Sequence, residues 1–543
     1  MMINRHYLKL LVTITLSFLI LFFYIILQQI KPNIISQDAL LVDQMHLYEF
    51  LNGEKQIISD LEIFKCRKFS QKCDENIPNE FILLRPPLNY HYPKSNKDFY
   101  KFDYYLGVKF AKIDGSSQYL ENLSLIKKDG YKEVTLDDFT IYKKVLVTNA
   151  GKPLPDDVSI IRSMDILFGS NDFIDSRPNH EALHLSDDNS INPIISFERV
   201  TKNEIKASVK IMKQIDQVKN DNTINTDKEK YKVLQLSDLH FGQDLGRCSN
   251  NKDNTNSEDR QKNNCKSDLR TTKFVEKVIS KENPDLIVIT GDLIDVKRMI
   301  DYKSILLKSL QPILNSQIKF LYTFGDENLS TETKKLIIKF LSTLPNCLNT
   351  PITEPNLIHG LTNYNYQVIN EKYPNQVSSI TVLDSQGHFI DESQINYLYR
   401  LNNIHQDSVY KLLFFHHPIP QFRPEGTFKI IGSYNEKHAL DTKTNMKFHD
   451  DIINCKYNVV AVGHEHENDA CILSEQVKKA DEMKSIWLCY NSVTGDSGRT
   501  VINENYVRKM RLFEIDYEQK RILSWKRKED DKAIFEPQLI FKK

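Results

Sequence analysis

Four apolar runs in the second half of the chain each stop abruptly on Asp or His. Tyr231-Lys-Val-Leu-Gln-Leu-Ser-Asp238-Leu-His240 ends on both, and Leu286-Ile-Val-Ile-Thr leads into Gly291-Asp292. Tyr410-Lys-Leu-Leu-Phe-Phe leads into His416-His417-Pro418, and Tyr457-Asn-Val-Val-Ala-Val into Gly463-His464-Glu465-His466. Short apolar runs bounded by turn residues predict buried strands that deliver polar side chains at their carboxyl ends. Side chains two apart share a strand face, so Asp238 and His240 are expected to reach one point. Between these runs, residues 269–281, 300–314, 331–344 and 391–401 place apolar positions at helical spacing, the last opened by the cap signal Asp391-Glu-Ser. Further strands are predicted at 317–324 and 379–384, and a closing hairpin at 511–517 and 521–526. Strands alternating with helices predict an α/β domain over residues 231–543.

Upstream the pattern changes. Short, partly alternating runs with turns at Asp129-Gly130 and Ala150-Gly151 predict a small mostly-β domain over 98–216. Residues 33–97 read as a stalk or adaptor, 217–230 as a polar linker and 249–264 as a low-complexity insert unable to bury a core. Leu10 to Leu27 is an uncharged run of 18 residues, nearly enough helix to cross a hydrocarbon core. A cleaved signal or a buried helix is the alternative, but no small-x-small cleavage site follows. Arg5 and Lys9 before the run against Lys31 after it favour a single-pass signal anchor with the bulk of the chain in the lumen of the secretory pathway or vacuole. A cytoplasmic or vesicle-associated placement is the alternative.

Composition adds little. Lys+Arg and Asp+Glu balance at 72 each, so nothing points to nucleic acid as a partner. Eight cysteines, with Cys66 near Cys73 and Cys248 near Cys265, are compatible with disulfides in a lumenal compartment and equally with buried thiols. Asn122-Leu-Ser124 and Asn328-Leu-Ser330 are glycosylation sequons, meaningful only if those segments are lumenal.

An Asp and a His at one strand end often form no more than a capping hydrogen bond, and one His on a strand is usually a core residue. Four such ends together favour a divalent-metal site of carboxylate and imidazole ligands, a set that suits Mn, Zn or Fe. In this order the blocks resemble the calcineurin-like metallophosphoesterases, with their D-x-H, G-D-x-x-D, G-N-H-D/E, H-x-P and G-H-x-H signature. The Cys248–Cys265 insert, the run Asn468-Asp469-Ala-Cys471 and Trp487-Leu-Cys489-Tyr490 are similar to the purple-acid-phosphatase-related branch, which includes the fungal dose-dependent cell cycle regulator phosphatases. The resemblance spans roughly 231–490.

The resemblance implies a four-layer α-β-β-α sandwich and two metal ions. One would be held by Asp238, His240, Asp292 and His466, the other by the bridging Asp292 with Asp326, His416 and His464. Asp295 stands where purple enzymes carry their tyrosine and is expected to orient ligands; His417, beside His416, is expected either to contact substrate or to be simply a loop residue. The implied activity is hydrolysis of phosphomonoesters, with phosphoserine or phosphothreonine proteins as substrate. One block departs: Gly325-Asp326-Glu327-Asn328 stands where the family has Gly-Asn-His-Asp/Glu. Asp326 still offers a metal an oxygen. Glu327 at the family's histidine position would act as an acid only if burial raised its pKa. A membrane-tethered pseudophosphatase that binds phosphoproteins is therefore the alternative.

Overall fold

The computed structural model describes residues 56–543 except 69–76, most of 91–100, 114–115, 149–153, 187–190, 249–264, 352–357, 425, 427, 437–439, 441–446, 479–481 and most of 497–505. The expected anchor at 10–27 and the low-complexity insert lie outside the described residues. Among those described, no helix is long and apolar enough to cross a membrane.

The β-rich part begins earlier than the sequence suggests. β1 (Gln56–Arg67) and β2 (Phe81–Leu84) flank β3 (Phe102–Lys112) in a three-stranded sheet, so the expected stalk supplies two of its strands. The buried positions Ile58, Leu61 and Ile63, brought onto one core by a bulge between Ile58 and Asp60, explain why. β4 (Gln118–Ser124), β5 (Lys132–Leu136) and β6 (Phe139–Val147) form a second three-stranded sheet. A third consists of β7 (Ile160–Gly169), β8 (His180–His184) and β9 (Asn192–Val200).

The expected linker is likewise structured. Helix α1 (Lys202–Asp221), opened by a Thr201/Glu204 capping box, runs through its first residues. Its last residues include β10 (Thr223–Thr226), which pairs in parallel with β14 (Tyr364–Asn370). Its polar composition reflects an edge position with one face in solvent, not flexibility.

The rest is α/β, built on two mixed sheets. The six-stranded sheet runs β13 (Lys319–Thr323), β12 (Leu286–Thr290), β11 (Lys230–Leu236), β21 (Lys509–Asp516), β22 (Arg521–Lys528), β23 (Phe535–Lys542). The eight-stranded sheet runs β10, β14, β15 (Val377–Val382), β16 (Ser408–Phe414), β18 (Val459–Val462), β20 (Glu482–Tyr490), β19 (Cys471–Lys478), β17 (Lys429–Ile431). Alternation along the strands decides what each face meets. Val233, Leu286 and Val288 pack against Leu412, Phe414, Val459 and Ala461 of the other sheet. Their neighbours Leu234, Leu236, Ile287 and Ile289 pack instead under α2 (Ser267–Glu282), α3 (Tyr302–Ser316) and α4 (Thr331–Thr343). Leu413, Val460 and Val462 pack under α5 (Glu392–Ile404) and α6 (Phe448–Asn454).

β11, β12 and β13 are mutually parallel, as are β15, β16, β18 and β20. Their carboxyl ends therefore lie along common edges, where open α/β sheets place ligands. Disulfides join Cys248 to Cys265 and Cys471 to Cys489, while Cys347 and Cys455 are buried free thiols. The Cys471–Cys489 pair spans two adjacent antiparallel strands, a contact that sequence separation does not reveal.

Candidate metal centre

The ligands sit just beyond the strands, not on them. β11 stops at Leu236, and Asp238 and His240 follow with φ of 56° and 49°. Asp292 (φ 51°) and His464 (φ 70°) also adopt the left-handed conformation. Convergence thus comes from tight turns, not from strand alternation as the sequence suggests. Backbone bonds lock the turns together: Asp238 N donates to Gly291 O (3.1 Å), His240 N to Asp292 O (2.9 Å) and Gly463 N to His416 O (3.1 Å). Gly291 is required, because at φ 86° a Cβ would lie 2.4 Å from His416 Nδ1 and 2.7 Å from the Gly325 Cα.

Asp292 lies between two histidines. Its Oδ2 is 3.6 Å from His240 Nε2 and 3.9 Å from His416 Nε2. These gaps are too wide for hydrogen bonds, but two atoms each about 2.1 Å from one cation stand roughly 3–4 Å apart. Asp292 Oδ1 accepts instead from Asp326 N. His466 Nε2 is 3.7 Å from Asp238 Oδ1, and His464 Nδ1 is 3.0 Å from Asp326 Oδ2. The ligand atoms of Asp238, His240 and His466 cluster within 4.8 Å, as do those of Asp238, Asp292 and His416, and those of Asp326, His416, His417 and His464.

The atoms that point inward have nothing else to bind. Asp238 Oδ1, His240 Nε2 and His416 Nε2 are buried without a hydrogen-bond partner, a costly state that a cation would relieve. The outward atoms are fixed. His416 Nδ1 lies 2.7 Å from Thr290 O; a carbonyl only accepts, so Nδ1 carries the hydrogen and Nε2 presents its lone pair inward. Ser237 Oγ donates to Asp238 Oδ2 (2.5 Å), as does His464 N (3.1 Å).

Charge agrees with this reading. Burial, reinforced by Glu327, Asp238 and Asp326, pushes the Asp292 carboxyl well above its ordinary range. Burial, with His466 nearby, lowers His240 to about 3, which leaves it neutral, the form that ligates metals. Burial would raise Asp326, but hydrogen bonds from His417 and His464 and the neighbouring His416 hold it well below the usual range. The residues present therefore fit two divalent cations that share Asp292.

The remaining candidates are placed differently. His417 lies under the centre: Ser385 Oγ accepts from His416 N and His417 N, so its hydroxyl hydrogen goes to His417 Nδ1 (3.0 Å), and Nε2–H donates to Asp326 Oδ1 (2.7 Å). Buried as it is, His417 orients Asp326 where substrate contact was expected. Glu327 is also buried, with Oε1 accepting from Tyr322 Oη (2.8 Å) and Leu293 N (3.0 Å) and Oε2 from Gly325 N (2.6 Å). Burial does raise its pKa, but both oxygens are committed inside the protein. That geometry does not fit a proton donor to substrate. Asp295 accepts from Lys297 N, capping a short 3₁₀ turn. Asn328 is exposed, and Asn122 is half-buried on β4. Sequence reasoning missed Ser385, the ion pair by which Arg423 holds Glu465 of the Gly463–His466 loop, and His388, whose Nε2 lies 3.0 Å from Asp326 Oδ1. The only signal for the last was a Gly-His pair following a strand.

Residues 231–468 match the calcineurin-like phosphoesterase family, and this part of the chain is a calcineurin-like metallophosphoesterase domain. Among relatives, Protein SIA1 of Kluyveromyces lactis is 33% identical over 372 residues, 66% of this chain and 59% of its own. Phosphatase DCR2 of Saccharomyces cerevisiae is 29% identical over 327 residues, 56% of this chain and 54% of its own. The "Probable inactive purple acid phosphatase 29" of Arabidopsis thaliana is 29% identical over 342 residues, 55% of this chain and 82% of its own. The chain thus spans little more than half the length of those two fungal relatives.

Proposed function

We propose that the protein is a metal-dependent phosphomonoester hydrolase, acting on phosphoserine or phosphothreonine in proteins. The observation that carries this is the pair of orphaned imidazole nitrogens, His240 Nε2 and His416 Nε2, on either side of the shared Asp292 carboxylate. Asp238, His240, Asp292 and His466 would hold one cation, and Asp292, Asp326, His416 and His464 the other. Such a pair clamps a phosphoryl group and lowers the pKa of bound water. The chain's own part is to fix the ligands: Thr290 O sets the His416 tautomer, Ser237 orients Asp238, and Ser385 with His417 orients Asp326.

A second reading is favoured by one observation, the commitment of both Glu327 oxygens to interior donors. On that reading the protein is a pseudophosphatase that binds phosphoproteins without turning them over. Metal analysis of the full chain after manganese or zinc loading, alongside p-nitrophenyl phosphate hydrolysis, decides. Two metals per chain with metal-dependent turnover supports the hydrolase. Two metals with no turnover but retained phosphopeptide binding supports the second reading, and less than one metal sinks both.

Membrane attachment through Leu10–Leu27 with a lumenal domain is part of the same proposal, and disulfides within the described residues support an oxidising compartment. Release of the full chain by carbonate washing would refute the anchor. An endoglycosidase shift lost in Asn122→Gln would support the lumenal orientation.

A further inference from the structure

The turn after β15 carries an imidazole outside every block described above. His388 adopts φ 64°, the conformation that Asp238, His240, Asp292 and His464 share and that few side chains tolerate. Its ring stacks on His417 with centroids 4.0 Å apart and planes 24° from parallel. Nε2 lies 3.0 Å from Asp326 Oδ1, and because a carboxylate only accepts, that contact favours the hydrogen on Nε2. The His388 side chain is 39% exposed, against 25% for His464, 18% for His466, 16% for His240 and 0% for His416. It is therefore the most exposed imidazole among these five. Glu327 is turned inward, and among the described residues no lysine or arginine is bonded to Asp238, Asp292 or Asp326. A phosphate dianion would need a donor here that those three carboxylates do not provide.

We propose that His388 contacts the substrate, donating its Nε2–H to a phosphoryl oxygen of the ester bound at the metal centre. In the free protein Nε2 faces Asp326 Oδ1; on binding it would turn its hydrogen to the phosphoryl oxygen, while His417 keeps its bond to Asp326. The inference rests on the phosphoester reading above.

The test is titration calorimetry of inorganic phosphate into the solubilised full chain loaded with manganese, with metal content measured on every sample. His388→Phe keeps a ring to stack on His417 and lacks the donor, while His388→Asn keeps an N–H and tolerates the left-handed backbone. Loss of one charge-assisted hydrogen bond should weaken phosphate binding about tenfold in His388→Phe, with Asn retaining more affinity than Phe and metal content unchanged. Native affinity in His388→Phe overturns the inference, as does loss of metal in both variants. A native chain that takes up two metals yet binds no phosphate overturns it together with the phosphoester reading. Hydrolysis of p-nitrophenyl phosphate is read separately. Phosphate binding that depends on His388 without turnover keeps the inference and sinks the hydrolase; turnover with unchanged affinity in His388→Phe does the reverse.

Discussion

Asp292→Asn should raise the stability of the metal-free protein and lower that of the loaded protein. Asparagine is isosteric and its Oδ1 still accepts from Asp326 N, so the turn survives. What changes is charge. The Asp292 carboxyl is held above its ordinary range by burial and by Glu327, Asp238 and Asp326, so it binds its proton more tightly folded than unfolded. Metal-free stability therefore falls as pH rises above the unfolded value of roughly 4, until the folded value is passed. Asn removes that loss. With cations present the sign reverses, since both would use Asp292. Each site saturated at about 100 times its Kd contributes about 2.7 kcal/mol, hence about 5 kcal/mol for two. Forfeiting both should cost roughly 10 °C of Tm in a domain of this size. Calorimetric scans of chelator-treated and manganese-saturated protein at neutral pH, with metal content measured, provide the comparison. A variant less stable than native by the same amount in both states would show that Asp292 is only structural and refute the reasoning.

Three further outcomes follow from single side chains. In Gly463→Ala the new Cβ would lie 1.9 Å from Ser237 Oγ, the hydroxyl that orients Asp238, and 2.8 Å from Thr290 O, so metal content should fall below one per chain; native loading would contradict this. Asp469 is buried between Lys509 (2.6 Å) and Lys526 (3.1 Å), and Asp469→Asn, which takes the carboxylate from Lys509 while Lys526 keeps Glu536, should cost about 3 kcal/mol in urea unfolding. Burial opposes ionisation there, but the two lysines hold the carboxyl down to about 2; its contribution is complete above the unfolded value of about 4 and lost as pH falls towards 2, so the Asn variant should show a shallower acid limb. Glu327→His would strand Leu293 N, Gly325 N and Tyr322 Oη, at about 1–3 kcal/mol per unsatisfied group, and should lower Tm without raising turnover; gained turnover would mean the block is free to move into the site.

Much of the centre was legible in the sequence because each ligand pair follows a strand whose apolar run is unambiguous. The α/β character was legible for the same reason, with helices at 267–282, 302–316, 331–343 and 392–404 close to their predicted spans. What sequence periodicity misplaced was the source of convergence. A period of two puts Asp238 and His240 on one face of a strand, yet both lie past its end with positive φ, and backbone handedness leaves little trace in composition except at the glycines. The stalk and linker were misread because edge and short strands carry polar residues on their open faces. Ser385 and His388 escaped notice because a Ser and a His in a short turn carry no period at all; only the contacts to His417 and Asp326 give them a role.

The block at 325–328 is better understood as a structural reassignment than as a deletion. Tyr322 on β13, Leu293 after β12 and Gly325 in the turn itself all donate to one carboxylate. Glu327 therefore pins the end of β13 to that of β12, the same junction at which Asp326 N holds Asp292. Four of these groups lie within the six residues 322–327, so a histidine at 327 could not be gained without giving up that junction. Because the carboxylate is spent on rigidity, any proton or hydrogen bond delivered to a bound phosphate has to come from elsewhere on the rim. The 385–389 turn, seated on His417 and reaching Asp326 from the solvent side, is the element so placed. On the proposal above, the hold on a phosphoryl oxygen then depends on that imidazole more than on the residue in the family's histidine position.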